Sequence, residues 1–225
     1  MRKNQNKLFA LVVLIALMSF RPMPQGKILF FGDSITEQGA KKGGYIDLLD
    51  SLVSRRAPVP PQFIGSGIGG NKVYDLYLRL EDDVLAKKPD VVVIWIGVND
   101  VWHKRTSGTG TDYAKFERFY QALIRKISAS GAKMLLCTPA VVGEQKDYVN
   151  ELDGDLNRYS ALIRKIAIEN NCSLLDLRQA FHDYIQQNNP ENKDRGILTT
   201  DGVHLNALGN LFVAREMEKA LDAIR

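Results

Sequence analysis

Short apolar runs that alternate with segments of helical periodicity constrain this chain more than any other feature. Residues 27–31, 59–64, 90–96, 133–138 and 173–177 are apolar stretches of strand length. Between them, residues 45–54, 73–86, 113–130 and 156–170 place apolar side chains at helical spacing, Gly131 offers a stop for the third, and a last helix is expected over 207–224. Strand and helix in steady succession predict an α/β fold, because parallel neighbours need a crossover and the crossover is usually a helix. The expectation is a five-stranded parallel sheet with helices on both faces. DVVVIWI at 90–96 lacks polar alternation and reads as a central strand. The run 59–64 follows Pro58 and contains Pro60 and Pro61, which have no N–H to give a neighbour, and reads as an edge. Residues 102–112 and 141–152 are long, polar and glycine-bearing, and are expected to wall a cleft as loops.

The chain has 225 residues, enough for one domain with a substantial core, and residues 26–225 are read as that domain. Residues 1–25 stand apart. A basic start containing Arg2, Lys3 and Lys7 precedes an almost wholly apolar run at 8–20, the layout of a secretory signal. As a helix, that run would span about 20 Å against a hydrocarbon core of roughly 30 Å, so a signal peptide is favoured over a stable membrane span. The cleavage signal is weak, Ser19 being its best residue, which keeps an uncleaved N-terminal anchor open. The expected location is exported, periplasmic or extracellular.

The formal charge of +4 arises in this leader: Arg2, Lys3, Lys7 and Arg21 are the whole excess, and the remaining bases equal the 26 acids. A neutral domain has no electrostatic footprint for a phosphate backbone, so nucleic acid is not an expected partner. Cys137 lies near the end of the fourth strand and Cys172 just before the fifth. On parallel neighbours these are opposite ends of the sheet, beyond the roughly 7 Å that a disulfide tolerates, so two free, buried thiols are expected. The three histidines are scattered and no CxxC is present, so no metal site is expected.

In an open parallel sheet, ligands bind beyond the carboxyl ends of the strands, so the residues just after each strand carry the chemistry. After the first comes Gly32-Asp33-Ser34-Ile35, a serine on a sharp strand-to-helix turn, equally the position of a helix cap. After the second comes Gly65-Ser66-Gly67-Ile68-Gly69-Gly70, where a ligand can approach backbone amides closely. This stretch also fits GxGxxG, but a dinucleotide fingerprint normally follows a strong first strand rather than a proline-bearing one. After the third comes Gly97-Val98-Asn99-Asp100, a carboxamide donor or a plain turn. Near the end, Asp201-Gly202-Val203-His204 lets a carboxylate fold back on an imidazole. A hydroxyl, a glycine amide, a carboxamide and an Asp–His pair converging at one end of a sheet are the parts of a serine esterase.

These four blocks, in this order, resemble the SGNH hydrolases, also called GDSL esterases and lipases, over most of the chain from Lys27 to Ile224. The absence of GxSxG sets the sequence apart from the α/β-hydrolases. The resemblance implies a three-layer flavodoxin-like sandwich. It also implies catalysis by Ser34 as nucleophile, His204 as base and Asp201 as its orienting acid, with the oxyanion met by the N–H of Ser34, the N–H of Gly70 and the side chain of Asn99. The second block departs from the family pattern in having Gly65 where an Asn is common and Lys72-Val73 where a Thr is, which leaves Gly69 as an alternative donor.

No cofactor is implied. The expected substrate is a small ester, with an acetylated saccharide favoured over lysophospholipids or thioesters; a non-catalytic carbohydrate- or lipid-binding module is the alternative of another class. Asp33, Trp102 and His103 are expected to contact substrate, and Trp102, His103 and Tyr148 offer rings to a sugar. Oligomeric state is left open.

Overall fold

The computed structural model describes residues 26–224; the expected leader lies outside the described residues. Five strands, β1 (Lys27–Gly32), β2 (Gln62–Gly67), β3 (Val91–Trp95), β4 (Lys133–Cys137) and β5 (Ser173–Leu175), form one sheet in the order β2-β1-β3-β4-β5. Every neighbouring pair is parallel. The helices are α1 (Ser34–Gly39), α2 (Tyr45–Ser54), α3 (Val73–Asp83), α4 (Val98–Thr106), α5 (Tyr113–Ala129), α6 (Asp153–Glu169), α7 (Leu177–Asn188) and α8 (Ala207–Asp222).

Successive strand side chains point to opposite faces, and both faces are buried. Ile28 and Phe30, with Val91, Val93, Trp95 and Leu135, pack against α2, α7 and α8. Leu29 and Phe31, with Val92, Ile94 and Leu136, pack against α3, α5 and α6. The pattern within α5 shows why it docks: Phe116, Tyr120, Leu123, Ile124 and Ile127 recur at helical spacing and are all buried. Removing such a side chain from water contributes about 1.5–3 kcal/mol. The sandwich thus has the expected three layers, with β3 central and β2 at an edge.

Several local expectations are corrected. β2 begins at Gln62, after the prolines rather than through them, because Pro60 and Pro61 cannot donate to the ladder with β1. Gly65, Ser66 and Gly67, read as loop, are therefore its last residues. The first half of the expected loop 102–112 belongs to α4, a mostly polar helix. α7 was not anticipated, although Leu177, Phe181 and Ile185 are buried at four-residue spacing; the run 173–177 was read as strand, but Asp176 ends β5 by capping α7, accepting from the Gln179 N–H. Both cysteines are free, and Cys137 pairs across the ladder with Leu175, three residues beyond Cys172. Cys172, however, is only half-buried. Among the described residues no helix is long and apolar enough to cross a membrane.

β1 has β2 on one side and β3 on the other, so the sheet changes direction of growth between β1 and β3. Crevices open at such a point, outside the carboxyl ends of the two strands. Ser34 follows one and Asn99 follows the other.

Candidate active site

Ser34 is the first residue of α1, immediately beyond β1. Asp33 caps that helix, its carboxylate accepting from the Ile35 N–H at 3.0 Å. The end of β2 lies so close to this turn that a Cβ on Gly67 would come within 2.1 Å of the Glu37 nitrogen and 2.6 Å of the Asp33 carbonyl oxygen. Only glycine allows the second strand to deliver its loop to the serine.

The Ser34 Oγ lies 2.9 Å from His204 Nε2, and His204 Nδ1 lies 2.7 Å from Asp201 Oδ2. The other Asp201 oxygen accepts from the backbone N–H groups of Val203 and His204, at 2.9 and 2.8 Å. Asp201 therefore folds its own turn and orients the ring with the same carboxylate. Gly202 makes the reversal possible with φ +93°, a region that side chains other than glycine rarely enter. Because Asp201 can only accept when ionised, the imidazole proton sits on Nδ1 and Nε2 is left to accept from the serine hydroxyl. Burial works to raise the Asp201 carboxyl, but the bonds from the His204 ring and backbone and from the Val203 N–H outweigh it and hold the group below its ordinary range.

The loop after β2 is pinned from several sides. The Gly69 N–H donates to Glu37 Oε2 at 2.7 Å, while the Gly70 N–H has no acceptor among the described residues. Lys72 Nζ donates to the Gly70 carbonyl at 2.9 Å. Asn99 Nδ2 donates one hydrogen to the Asn71 carbonyl at 3.1 Å, which leaves its second hydrogen uncommitted. Asp100, fully buried, accepts from the Val73 N–H and fixes the start of α3 against α4. Burial pushes the carboxyls of both Asp33 and Asp100 up to about 7.

Arg79 ties these pieces together. Its guanidinium donates to the Gly32 carbonyl at 2.8 Å, the Ser66 carbonyl at 3.1 Å and Asn71 Oδ1 at 2.7 Å, and lies over the Phe31 ring. Sequence reading passed over it, since within RLEDD it looks like one more solvated charge; its flanking position beside buried Leu76 and Leu80 was the available signal.

Of the residues expected to touch substrate, Trp102 and His103 lie on α4 rather than on a loop. The Trp102 ring meets the His204 ring edge to face with centroids 6.5 Å apart. His103 Cε1 is 3.9 Å from where a Cβ on Gly70 would sit. Partial burial, aided by the nearby Lys72 charge, holds His103 below the usual histidine range. Asp33 does not face substrate: it is 2% exposed and its carboxylate serves the helix cap. Tyr148 stacks on His182 with ring centroids 3.8 Å apart.

A strand-end serine in contact with an Asp-oriented histidine, beside a free glycine amide and a carboxamide, is an arrangement suited to acyl transfer. Fold and site together define a carboxylic ester hydrolase. The GDSL-like lipase/acylhydrolase family matches residues 30–211, and the chain belongs to that family. The crystal structure of an acetyl xylan esterase superposes with a TM-score of 0.85 at 59% identity, covering 86% of this chain and 98% of the other. An acetylxylan esterase of Geobacillus stearothermophilus is 29% identical over 206 residues, covering 84% of this chain and 90% of the relative. A homolog of isoamyl acetate-hydrolyzing esterase 1 from Rattus norvegicus is 25% identical over 210 residues, covering 87% of this chain and 81% of the relative.

Proposed function

We propose that this ester hydrolase removes acetyl groups from carbohydrate by way of an acetyl-enzyme on Ser34, and that it acts outside the cytoplasm. The observation that carries the mechanism is the continuous chain from Ser34 Oγ through the His204 imidazole to Asp201. Ser34 Oγ attacks the ester carbonyl as its proton passes to His204 Nε2, and Asp201 stabilises the imidazolium so formed without taking the proton itself. The tetrahedral oxyanion is met by the N–H of Ser34, which as the first helical residue has no intrahelical acceptor, by the uncommitted N–H of Gly70 and by the second hydrogen of Asn99 Nδ2. Engagement of the Gly69 N–H by Glu37 favours Gly70 as the donor. His204 then gives its proton to the leaving alcohol. In the second half it deprotonates water, which attacks the acetyl-enzyme; the bond between the acetyl carbon and Ser34 Oγ then breaks, His204 returns the proton to Oγ and acetate leaves.

The substrate rests on the relatives, whose names share acetate as the acyl group and, in two of the three, xylan as the alcohol. Trp102 beside His204 and His103 beside the Gly70 turn supply an aromatic face and a hydrogen-bonding ring for a sugar. Export rests on the basic and apolar pattern of residues 1–20.

The test is hydrolysis of p-nitrophenyl esters from acetate to palmitate, followed by release of acetate from acetylated xylo-oligosaccharides, with Ser34→Ala alongside. Activity confined to short acyl chains, extended to the oligosaccharide and lost in the variant, is the expected result. Preference for long chains would turn the reading toward lipids. Hydrolysis of p-nitrophenyl acetate without acetate release from the sugar would remove carbohydrate as the substrate.

A further inference from the structure

We infer that Glu144 is a positioning residue of this reaction: its buried carboxylate, acting through the backbone of residues 197–199, sets where the Asp201–His204 turn stands and so whether His204 Nε2 reaches Ser34. The inference rests on the serine esterase reading above.

Glu144 lies in the connection after β4, outside all four sequence blocks, and is fully buried. Its Oε2 accepts from the Ile197 N–H at 2.7 Å, and its Oε1 accepts from the N–H groups of Leu198 at 2.7 Å and Thr199 at 2.9 Å. Three consecutive amides of an irregular segment thus converge on one carboxylate. A buried charge is costly, and here it is offset by charge-assisted bonds from backbone amides. The backbone around Glu144 closes the other side: the Gly143 N–H donates to the Gly202 carbonyl at 2.9 Å, and the Glu144 N–H donates to the Asp194 carbonyl at 2.8 Å. The Glu144 carbonyl accepts from Asn189 Nδ2 at 2.7 Å.

From this clamp the path to the imidazole is short. Thr199 Oγ1 accepts from the Gly202 N–H at 3.0 Å, and the Thr200 N–H donates to the His204 carbonyl at 2.8 Å. The turn between them carries Asp201 and His204, and its ladder contact is the single bridge between Thr199 and Leu205. Leu198 and Val203 anchor the segment by burial, but burial is non-directional. Direction comes from hydrogen bonds: Asn206 fastens the carbonyl side, its N–H donating to the Leu198 carbonyl at 3.0 Å and its Nδ2 to the Ile197 carbonyl at 3.2 Å, and Glu144 fastens the three amides.

The test compares the full-length wild type, Glu144→Gln and Glu144→Asp on p-nitrophenyl acetate, with active sites counted by a fluorophosphonate probe and Ser34→Ala as the blank. Glutamine keeps the shape but turns an amide NH2 toward backbone donors; aspartate keeps the charge but is one methylene short. Per titrated site, kcat is expected to fall about 100-fold in Glu144→Gln, as for a displacement of roughly 1 Å between reacting groups, and about ten-fold in Glu144→Asp. KM should stay within about three-fold, since the carboxylate is remote from substrate. A merely structural role would lower the melting temperature and the number of titratable sites but leave kcat per site unchanged; a value within about two-fold of wild type in both variants overturns the inference. A measurement on the unmutated protein guards against variants that do not fold: amides of residues 197–199 should exchange with solvent as slowly as those of the central strands, and exchange at the rate of an open loop also overturns it. Wild type that neither cleaves an ester nor takes the probe would instead remove the esterase mechanism, and this role with it; an active wild type matched by its Glu144 variants removes the role alone.

Discussion

The two halves of the site are built in opposite ways. Ser34, Gly70 and Asn99 hang from the ends of three neighbouring parallel strands, and the groups beneath them are sealed from water: Asp33 is 2% exposed and Asp100 is fully buried. Asp201 and His204 hang from irregular chain, with the Asp201 side chain 48% exposed and the His204 side chain 22%. The sheet places the proposed nucleophile and oxyanion donors by packing; the proposed base stands on a turn whose backbone amides donate to two carboxylates, those of Asp201 and Glu144. Damage to the first half should therefore register in both stability and rate, and damage to the second chiefly in rate.

The strongest challenge to that contrast is Asp201→Asn. It is expected to lower kcat by about 10⁴-fold, because an amide that donates toward Nδ1 reverses the tautomer, while leaving the melting temperature close to wild type. A fall in activity matched by a fall in folded fraction would erase the distinction. Next, Asn99→Ala should cost about 100-fold to 1000-fold in kcat with little change in KM, since its free hydrogen matters most once charge develops on the oxyanion. It should also lower the melting temperature, because the Asn71 carbonyl loses its donor. Trp102→Ala should raise KM for acetylated xylo-oligosaccharides by about ten-fold, the order of one sugar–ring contact, and leave p-nitrophenyl acetate kinetics nearly unchanged. Equal effects on both substrates would make Trp102 a support for His204 rather than a sugar platform.

A further effect, on stability rather than on rate, separates the halves by the sign of their pH dependence. Asp100 titrates at about 7 in the folded protein and near 4 in the unfolded chain. Between those values the folded state keeps a proton that the unfolded state has lost. Its contribution is thus complete below about pH 4 and is lost as pH rises through 7. Asp33 acts in the same direction. Asp201, held low, works in reverse: its contribution is present above about pH 4 and is lost as pH falls below that. Urea midpoints of Asp100→Asn should accordingly fall less steeply from pH 4 to 7 than those of wild type. Superimposable profiles would mean that Asp100 is ionised in the folded protein.

The same division governs what could be read in advance. Ser34, Asn99 and the glycine block stand at or just after strand ends, where chemistry gathers in a parallel sheet, so periodicity pointed to their positions, while their roles came from the resemblance of the four blocks. The Asp–His pair was visible because both residues fall within one short turn. Glu144 and Arg79 were not, because Glu144 meets backbone amides more than 50 residues away and Arg79 meets the carbonyls of Gly32 and Ser66, and a backbone group leaves no letter in the sequence. The helical nature of Trp102 and His103 was missed for a related reason: α4 buries little beyond Val98 and Val101 as apolar side chains, so its period is faint. Asp33 was expected to contact substrate, whereas its side chain turns inward to cap the helix that Ser34 begins.

The contact between Ser34 and His204 joins residues 170 positions apart, from the first strand to the last turn. A ribosome releases these partners in that order, so a growing chain presents its serine long before any base exists to activate it. On the proposed mechanism, hydrolytic competence is then a late event of synthesis: it switches on only when the turn that carries His204 has docked, and a polypeptide halted before that turn is chemically silent.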